Sequence, residues 1–346
     1  MSSYHIENDK TNTILLRERL EHLPSFAKTF FRAIEPTTSS RTRIAYAYDL
    51  GVFFEYLIES NPYFSSKGVV DITLDDLDNL KAVDIEEYID YVKYYVKEGK
   101  EFTNSKSGQM RKLATLRSFY NYFYQKEYIK NNPAVLVNMP KLPEKNIIRL
   151  DNDEILKLLE AIENGTGLSD KQLSFHNKTK VRDLALITLL LGTGIRVSEC
   201  VGLNLDDVDL ENDAIKITRK GGNESQVYFS DEVHLYLSDY LDQRKLILPE
   251  RGSELAFFLS SQRKRISVRS VENLVKKYAK LAAPLKKITP HKLRSTYGTN
   301  LYRQTGDIYL VADILGHKDV NTTKKHYADQ SEQRKKIAGR NFKLNP

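Results

Sequence analysis

The stretch AIKITRKGGNESQVYF, residues 214–229, is where the periodicity of this chain changes. Two β-rich runs, one around Ile215 and Ile217 and one around Val227 and Phe229, flank Gly221 and Gly222. Branched residues at a period of two, with a paired glycine between the runs, predict a β-hairpin with Lys220 at its tip. A lysine so placed can reach into a groove, where it could contact a phosphate or donate a proton; an ordinary turn lysine is the other reading.

On both sides of this hairpin the period returns to that of a helix. DNDEILKLLEAIENG (151–165) reads as a capped helix and KVRDLALITLLLGTG (180–194) as a buried one. RVSECVGL (196–203) starts a turn or helix just after the Gly-Thr-Gly break, SDEVHLYLSDYLDQRKLIL (230–248) reads as a helix, and ELAFFLS (254–260) as a short strand. From Ser267 onward the pattern is helices separated by prolines and glycines. The preceding stretch NMPKLPEKNIIRL (138–150) has two prolines and few apolar anchors, as a linker does. Before it the chain is helical over 39–60, within 75–99 closed by Gly99, and over 107–129, with a further helix in 13–34. In the third of these, Leu113, Leu116, Phe119, Tyr120 and Phe123 share one side, and Arg111, Lys112, Arg117 and Lys126 project mostly elsewhere. The expected fold is therefore mostly α with a small β-hairpin or sheet. A chain of 346 residues suggests two domains. These are a helical one over 1–140, a linker over 141–150, and a mixed α/β domain over 151–346.

Composition places the chain among globular proteins: 40% apolar and 29% charged residues. A single cysteine, Cys200, can form no intrachain disulfide, as suits a reducing cytosol. The polar N-terminus shows no signal peptide, and the longest apolar run, LALITLLLG (184–192), is too short for a bilayer, so a cytoplasmic location without membrane partners is expected. The net charge of +7 is unevenly spread. Residues 50–99 hold 4 basic and 11 acidic side chains, residues 100–149 hold 10 and 3, and residues 257–296 hold 11 and 1. Two basic regions, one in each half, point to a two-part footprint on nucleic acid.

The chemistry-bearing residues lie in the second half. Arg196 follows a Gly-rich break at a helix start, where a guanidinium suits phosphate, and Glu199 could hold a neighbouring basic group in place. In TPHKLRSTYGT (289–299), Pro290 can open a helix with Thr289 as cap, which puts His291 and Arg294 on one face at i and i+3. His317 follows Gly316, and Tyr327 comes ten residues later. No HExxH, CxxC or Walker-type loop is present, and no metal ligand set or cofactor is expected. Phosphoryl transfer needs a nucleophile, charge neutralisation and an acid for the leaving group, and this set supplies all three.

In the order and at about the spacings of GTGIRVSECVGL, HKLRSTYGT and LGHKDVNTTKKHY, the chain resembles the tyrosine recombinase (phage integrase) family, and particularly its Xer-like bacterial branch, over roughly residues 35 to 340. The resemblance implies a helical core-binding domain joined to a mixed α/β catalytic domain. It implies Arg196 and Arg294 as the phosphate-holding arginines, Lys220 as the hairpin lysine, and His291 as the partner of Arg294. It makes His317 the later His/Trp position and Tyr327 the nucleophile of an O-(3′-phospho-DNA)-tyrosine intermediate. Arg41, Arg43, Lys106, Arg111, Lys112 and Arg117, on the segments similar to the core-binding domain, become the expected DNA contacts. A double-stranded DNA recombination site is the implied partner. Four copies would act on two such sites through a Holliday junction, with or without a second recombinase or accessory protein, in chromosome dimer resolution or mobile-element movement.

Three features depart from the family pattern. Ser295 stands where many relatives carry a basic residue, Tyr327 follows His317 by ten positions where many Xer proteins have nine, and about 35 residues precede the core-binding domain as an extra helix or arm. A type IB topoisomerase-like enzyme has the same chemistry without partner exchange, and a DNA-binding protein that has lost catalysis is the third possibility.

Overall fold

A computed structural model describes residues 3–97, 99–142, 147–219, 222–316 and 320. Lys220, His317 and Tyr327 lie outside the described residues, as does part of the linker at 143–146. The chain divides into two compact units, one over Ser3–Lys145 and one over Asn146–Pro346.

The N-terminal unit contains helices α1 (Ser3–Glu21), α2 (Ala27–Ala33), α3 (Ser40–Ser60), α4 (Leu74–Asp78) and α5 (Ala82–Tyr91), strands β1 (Tyr94–Lys97) and β2 (Lys100–Thr103), and helices α6 (Lys106–Gln125) and α7 (Pro133–Leu136). Ser39 caps α3 by accepting from the Thr42 N–H, as its position before the apolar run suggests. The core is strongly aromatic. Phe30, Phe54 and Phe123 each pack on Phe119 with ring centroids 5.1, 6.1 and 5.0 Å away, in edge-on arrangements that suit the ring quadrupoles. The described residues before position 35 form two helices, α1 and α2, that pack into this unit. Asn12 donates to the Ser40 hydroxyl, which donates in turn to Asp9, and Leu16 is buried in the core.

Residues 75–99 differ from the expected single helix. After α5 the chain turns into a hairpin that pairs Tyr94 with Thr103 and Lys97 with Lys100. The run YYVK alternates exposed and inward residues, and Tyr95 stacks on Tyr91 and Phe102 at 5.4 and 5.2 Å. Gly99, expected to end a helix, sits in the tight turn with φ of +72°.

Three of the expected DNA contacts are committed to the fold. Lys112 is 1% exposed; its ammonium donates to Asp49 at 3.1 Å and lies 5.1 Å over the Tyr48 ring. Arg117 donates to the carbonyls of Ala134 and Val137, which fastens α7 to α6. Arg43 is buried and pairs with Glu35 at 2.9 Å. Lys112 and Arg117 were expected to project away from the apolar side of their helix, and Arg43 was expected as a contact only through the resemblance. Their partners lie in other segments and draw them inward. Arg41, Lys106 and Arg111 are exposed, although Arg111 also pairs with Asp49.

Asp49 thus receives Arg111, Lys112 and Thr115 at a buried position between α3 and α6. Asp49→Ala is expected to destabilise this unit by about 3–5 kcal/mol, because it strands the Lys112 charge. Lys112→Met leaves Asp49 with two partners and should cost clearly less. Urea unfolding of both variants, read in the transition of this unit, checks the order.

The C-terminal unit contains α8 (Asn152–Asn164), α9 (Asp170–Thr193), α10 (Val197–Gly202), strands β3 (Val208–Asp209), β4 (Ala214–Thr218) and β5 (Glu224–Tyr228), then α11 (Asp231–Lys245), α12 (Val268–Ala282), α13 (Pro290–Thr305) and α14 (Ile308–Leu315). The strands form one antiparallel sheet in the order β3-β4-β5, with Ile215 opposite Val227 and Thr218 opposite Glu224. Residues 254–260 form isolated bridges rather than a strand, Asn204 with Ala256 and Leu259 with Arg265. Their backbone donors go elsewhere, Phe257 N–H to the Leu203 carbonyl and Leu259 N–H to the Tyr240 hydroxyl. Helix α9 begins well before residue 180, because Ser169 and Gln172 form a capping box at its start.

A buried polar relay joins α9 to α12. Tyr278 donates to Asp183 at 3.1 Å and faces His176 Nδ1 at 3.0 Å, so His176 supplies the Nδ1 proton. Burial, then the nearby Lys277 charge, hold the His176 imidazole below its ordinary pKa. The unfolded chain therefore binds this proton more readily, and the stability tied to neutral His176 is lost as pH falls below about 6.5. Unfolding midpoints measured across that range should fall on acidification, and less steeply for His176→Gln.

Candidate active site

The Gly-Thr-Gly break does the work at the end of α9. Gly194 adopts a left-handed conformation (φ +62°), and a Cβ there would lie 2.4 Å from the Tyr297 ring. Both constraints call for glycine. The turn sends the chain directly into α10, with Arg196 at its N-cap.

Glu199, the third residue of α10, organises this corner. Its carboxylate accepts the Arg196 backbone N–H at 2.7 Å and the Arg196 Nη1 at 2.8 Å. It also lies 3.8 Å from Arg219, at the end of β4. Glu199 is buried, so it acts as a fixed negative charge that orients two guanidinium groups. This is the holding role its spacing from Arg196 suggests.

Three arginines meet at the C-terminus of α14. Arg294, from the second turn of α13, donates to the Leu315 carbonyl and, at 2.6 Å, to the Gly194 carbonyl. Arg219 donates to the carbonyls of Ile314 at 2.7 Å and Leu315 at 3.5 Å. Arg196 reaches the Gly316 carbonyl at 3.3 Å. The last carbonyls of a helix have no partner within it and carry the negative end of its dipole, so they attract cations. Gly316, left-handed at φ +60°, lets the chain turn here; a Cβ would sit 3.2 Å from the Arg219 guanidinium.

The charge count of this cluster matters more than any single contact. Among the described residues the corner holds three permanent cations, Arg196, Arg219 and Arg294, and two carboxylates that act on the first two of them, Glu199 and Asp313. Burial, with the neighbouring Arg196 charge opposing its ionisation, lowers the pKa of Arg219, yet guanidinium stays protonated in any usable pH range. Backbone carbonyls satisfy donors but neutralise no charge. The corner therefore has a standing preference for an anion, and guanidinium forks match the oxygens of phosphate.

The structure brings Arg196 and Arg294 together, with His291 exposed one turn before Arg294 on α13. Lys220 and His317 each adjoin a described residue of the cluster in sequence, Arg219 and Gly316, but both lie outside the described residues with Tyr327. Arg219 itself was not anticipated. The signal was present: with Ile215 and Ile217 buried, strand alternation puts residue 219 on the same inward face. Among the described residues no group of acidic, histidine or cysteine side chains could hold a metal ion, and no helix is long and apolar enough to cross a membrane.

Comparison with known proteins agrees in extent as well as in kind. The family described as "Phage integrase family" matches residues 148–334. The chain is 34% identical over 339 residues to a tyrosine recombinase XerC of Caldanaerobacter subterraneus, covering 95% of this chain and 90% of that protein. It is 32% identical to a tyrosine recombinase XerS of Streptococcus mutans, covering 89% and 94%. The fold is shared with the XerH site-specific recombinase bound to palindromic difH substrate in a post-cleavage complex (TM-score 0.68, 22% identity, 95% of this chain and 88% of that one). It is shared also with the Tn1549 transposon integrase in complex with circular intermediate DNA (TM-score 0.64, 20% identity, 91% and 99%).

Proposed function

The chain belongs to the phage integrase family of tyrosine recombinases, and from that premise we propose how its residues divide the work of site-specific DNA strand exchange. The observation that carries the reading is the gathering of Arg196, Arg219 and Arg294 at the α14 terminus, with the Glu199 carboxylate beside the first two.

Such a cluster suits a phosphodiester. Arg196 and Arg294 hold the two non-bridging oxygens, where negative charge grows in the transition state. The Tyr327 oxygen attacks phosphorus and forms the P–O bond as the bond to the 5′ oxygen breaks. His291 takes the tyrosine proton, Lys220 gives a proton to the leaving 5′ oxygen, and His317 supports the phosphate. The products are a 3′-phosphotyrosine and a free 5′-hydroxyl. The energy of the original bond is kept in the new one, so a 5′-hydroxyl from another strand can reseal it without ATP.

Double-stranded DNA is the partner, and Arg41, Lys106 and Arg111 on the N-terminal unit are the exposed cations suited to its backbone. A homotetramer on two sites, working in the cytoplasm through a Holliday junction, is the assembly this chemistry needs. The relatives that match along most of the chain are recombinases, which favours strand exchange over nicking and rejoining by one protomer.

The test is to trap covalent protein–DNA complexes in cells and sequence the attached DNA. Attachment should concentrate at one or a few discrete sites and at 3′ ends. Attachment scattered along the chromosome would contradict site-specific recombination.

A further inference from the structure

Arg219 is bound on both its backbone and its side chain, and the two sets of bonds face different elements. Its N–H donates to the Asn223 carbonyl at 2.7 Å, and its carbonyl accepts from Gly222 N–H at 3.0 Å. These bonds join the end of β4 to the start of β5, and Lys220 directly follows Arg219 in sequence. Its side chain, only 12% exposed, spans the carbonyls of Ile314 and Leu315 and lies 3.8 Å from Glu199. The guanidinium also packs against Gly316, the residue before His317, so closely that a Cβ there would crowd it at 3.2 Å.

From this arrangement we infer that Arg219 is a positioning residue: it clasps the end of β4, which Lys220 follows in sequence, to the end of α14. The inference rests on the reading of Lys220 as the acid for the leaving oxygen. Arg219 is less open than Arg196, whose side chain is 32% exposed, and, unlike Arg294, it directly precedes Lys220 in the chain. A hairpin turn is held only at its base, and a proton donor must keep hydrogen-bond reach of its oxygen. Tying the residue before Lys220 to a helix end removes that freedom.

Arg219→Gln keeps a neutral donor but loses the fork and the charge. A misplaced acid should forfeit part of the roughly 10²–10⁴-fold that general acid catalysis supplies, so single-turnover cleavage of a mapped site should slow about tenfold or more. On DNA with a 5′-bridging phosphorothiolate, the P–S bond breaks to release a thiolate that needs no proton, and most of the loss should disappear. DNA affinity should change little. Lys220→Ala, run in parallel, should show the same rescue to a larger degree. Arg219→Lys, which keeps the charge but cannot span two carbonyls, should lie between, and it carries the test if the glutamine variant does not fold.

Two outcomes overturn the inference alone while Lys220→Ala is rescued. One is Arg219 variants as fast as the parent on ordinary DNA. The other is Arg219 variants equally slow on both substrates, which would put Arg219 among the charge-neutralising arginines or in the general stability of the fold. Absence of rescue in Lys220→Ala itself would instead remove the acid role of Lys220, and the clasp with it.

Discussion

Tyr327→Phe is expected to bind its DNA site as the parent does and to yield no covalent protein–DNA complex. The substitution removes one oxygen atom, and a phenyl ring has nothing with which to attack phosphorus, so the loss is limited only by detection. Other tyrosines lie on α13, and Tyr297 among them is poorly suited to the role. Tyr297 packs against Gly194 at the turn into α10, and burial raises its hydroxyl above the ordinary tyrosine pKa, which opposes formation of a nucleophilic phenolate. A denaturing gel after incubation with a nicked site reads the complex directly. A covalent band of normal yield from Tyr327→Phe would move the chemistry to another residue, with Tyr297 and Tyr302 to be replaced next.

Arg294→Ala should have the next largest effect, and it should appear in two separable measurements. Loss of a charged donor that acts on the transition state is worth about 2.7–4 kcal/mol, which corresponds to cleavage about 10²–10³-fold slower at saturating DNA. Arg294 is also 3% exposed and bonded to the carbonyls of Gly194 and Leu315. Removing it leaves those buried acceptors short of a donor, at a cost of about 1–3 kcal/mol in stability. Arg196→Ala should slow cleavage comparably with less loss of stability, since its side chain is more open and its backbone N–H stays bonded to Glu199. Sulfur at the 5′ bridging position should rescue neither variant, because charge on the non-bridging oxygens is unchanged. If cleavage and DNA binding fall by the same factor in both variants, the arginines are ordinary backbone contacts.

Much of this architecture is written in local pattern. The change of period at Ile215 marks the hairpin, and capping residues mark several helix starts, Ser39 at α3 and Asp151 at α8 among them. Where reading the pattern failed, a distant partner or an ambiguous period was responsible. Tyr94 to Lys97 can be read at either period, and the choice is made by stacking of Tyr95 on Tyr91 and Phe102. Lys112 looks like an outward cation until Asp49, 63 residues earlier, is placed beside it. The active corner shows the same limit. Arg196 and Gly316 lie 120 residues apart, and nothing near either one indicates that they meet. Arg219 was the legible exception, since strand alternation alone turns it inward.

The central claim is that the arginine cluster at the end of α14 serves an attack by Tyr327 on a phosphodiester. The most direct measurement is mass spectrometry of the covalent complex formed on a mapped site, digested with protease and nuclease. The account predicts one modified peptide, with a nucleotide joined through its 3′ phosphate to Tyr327, and no such peptide from Arg294→Ala under the same brief reaction. A nucleotide joined to any other residue, or joined through a 5′ phosphate, would contradict it.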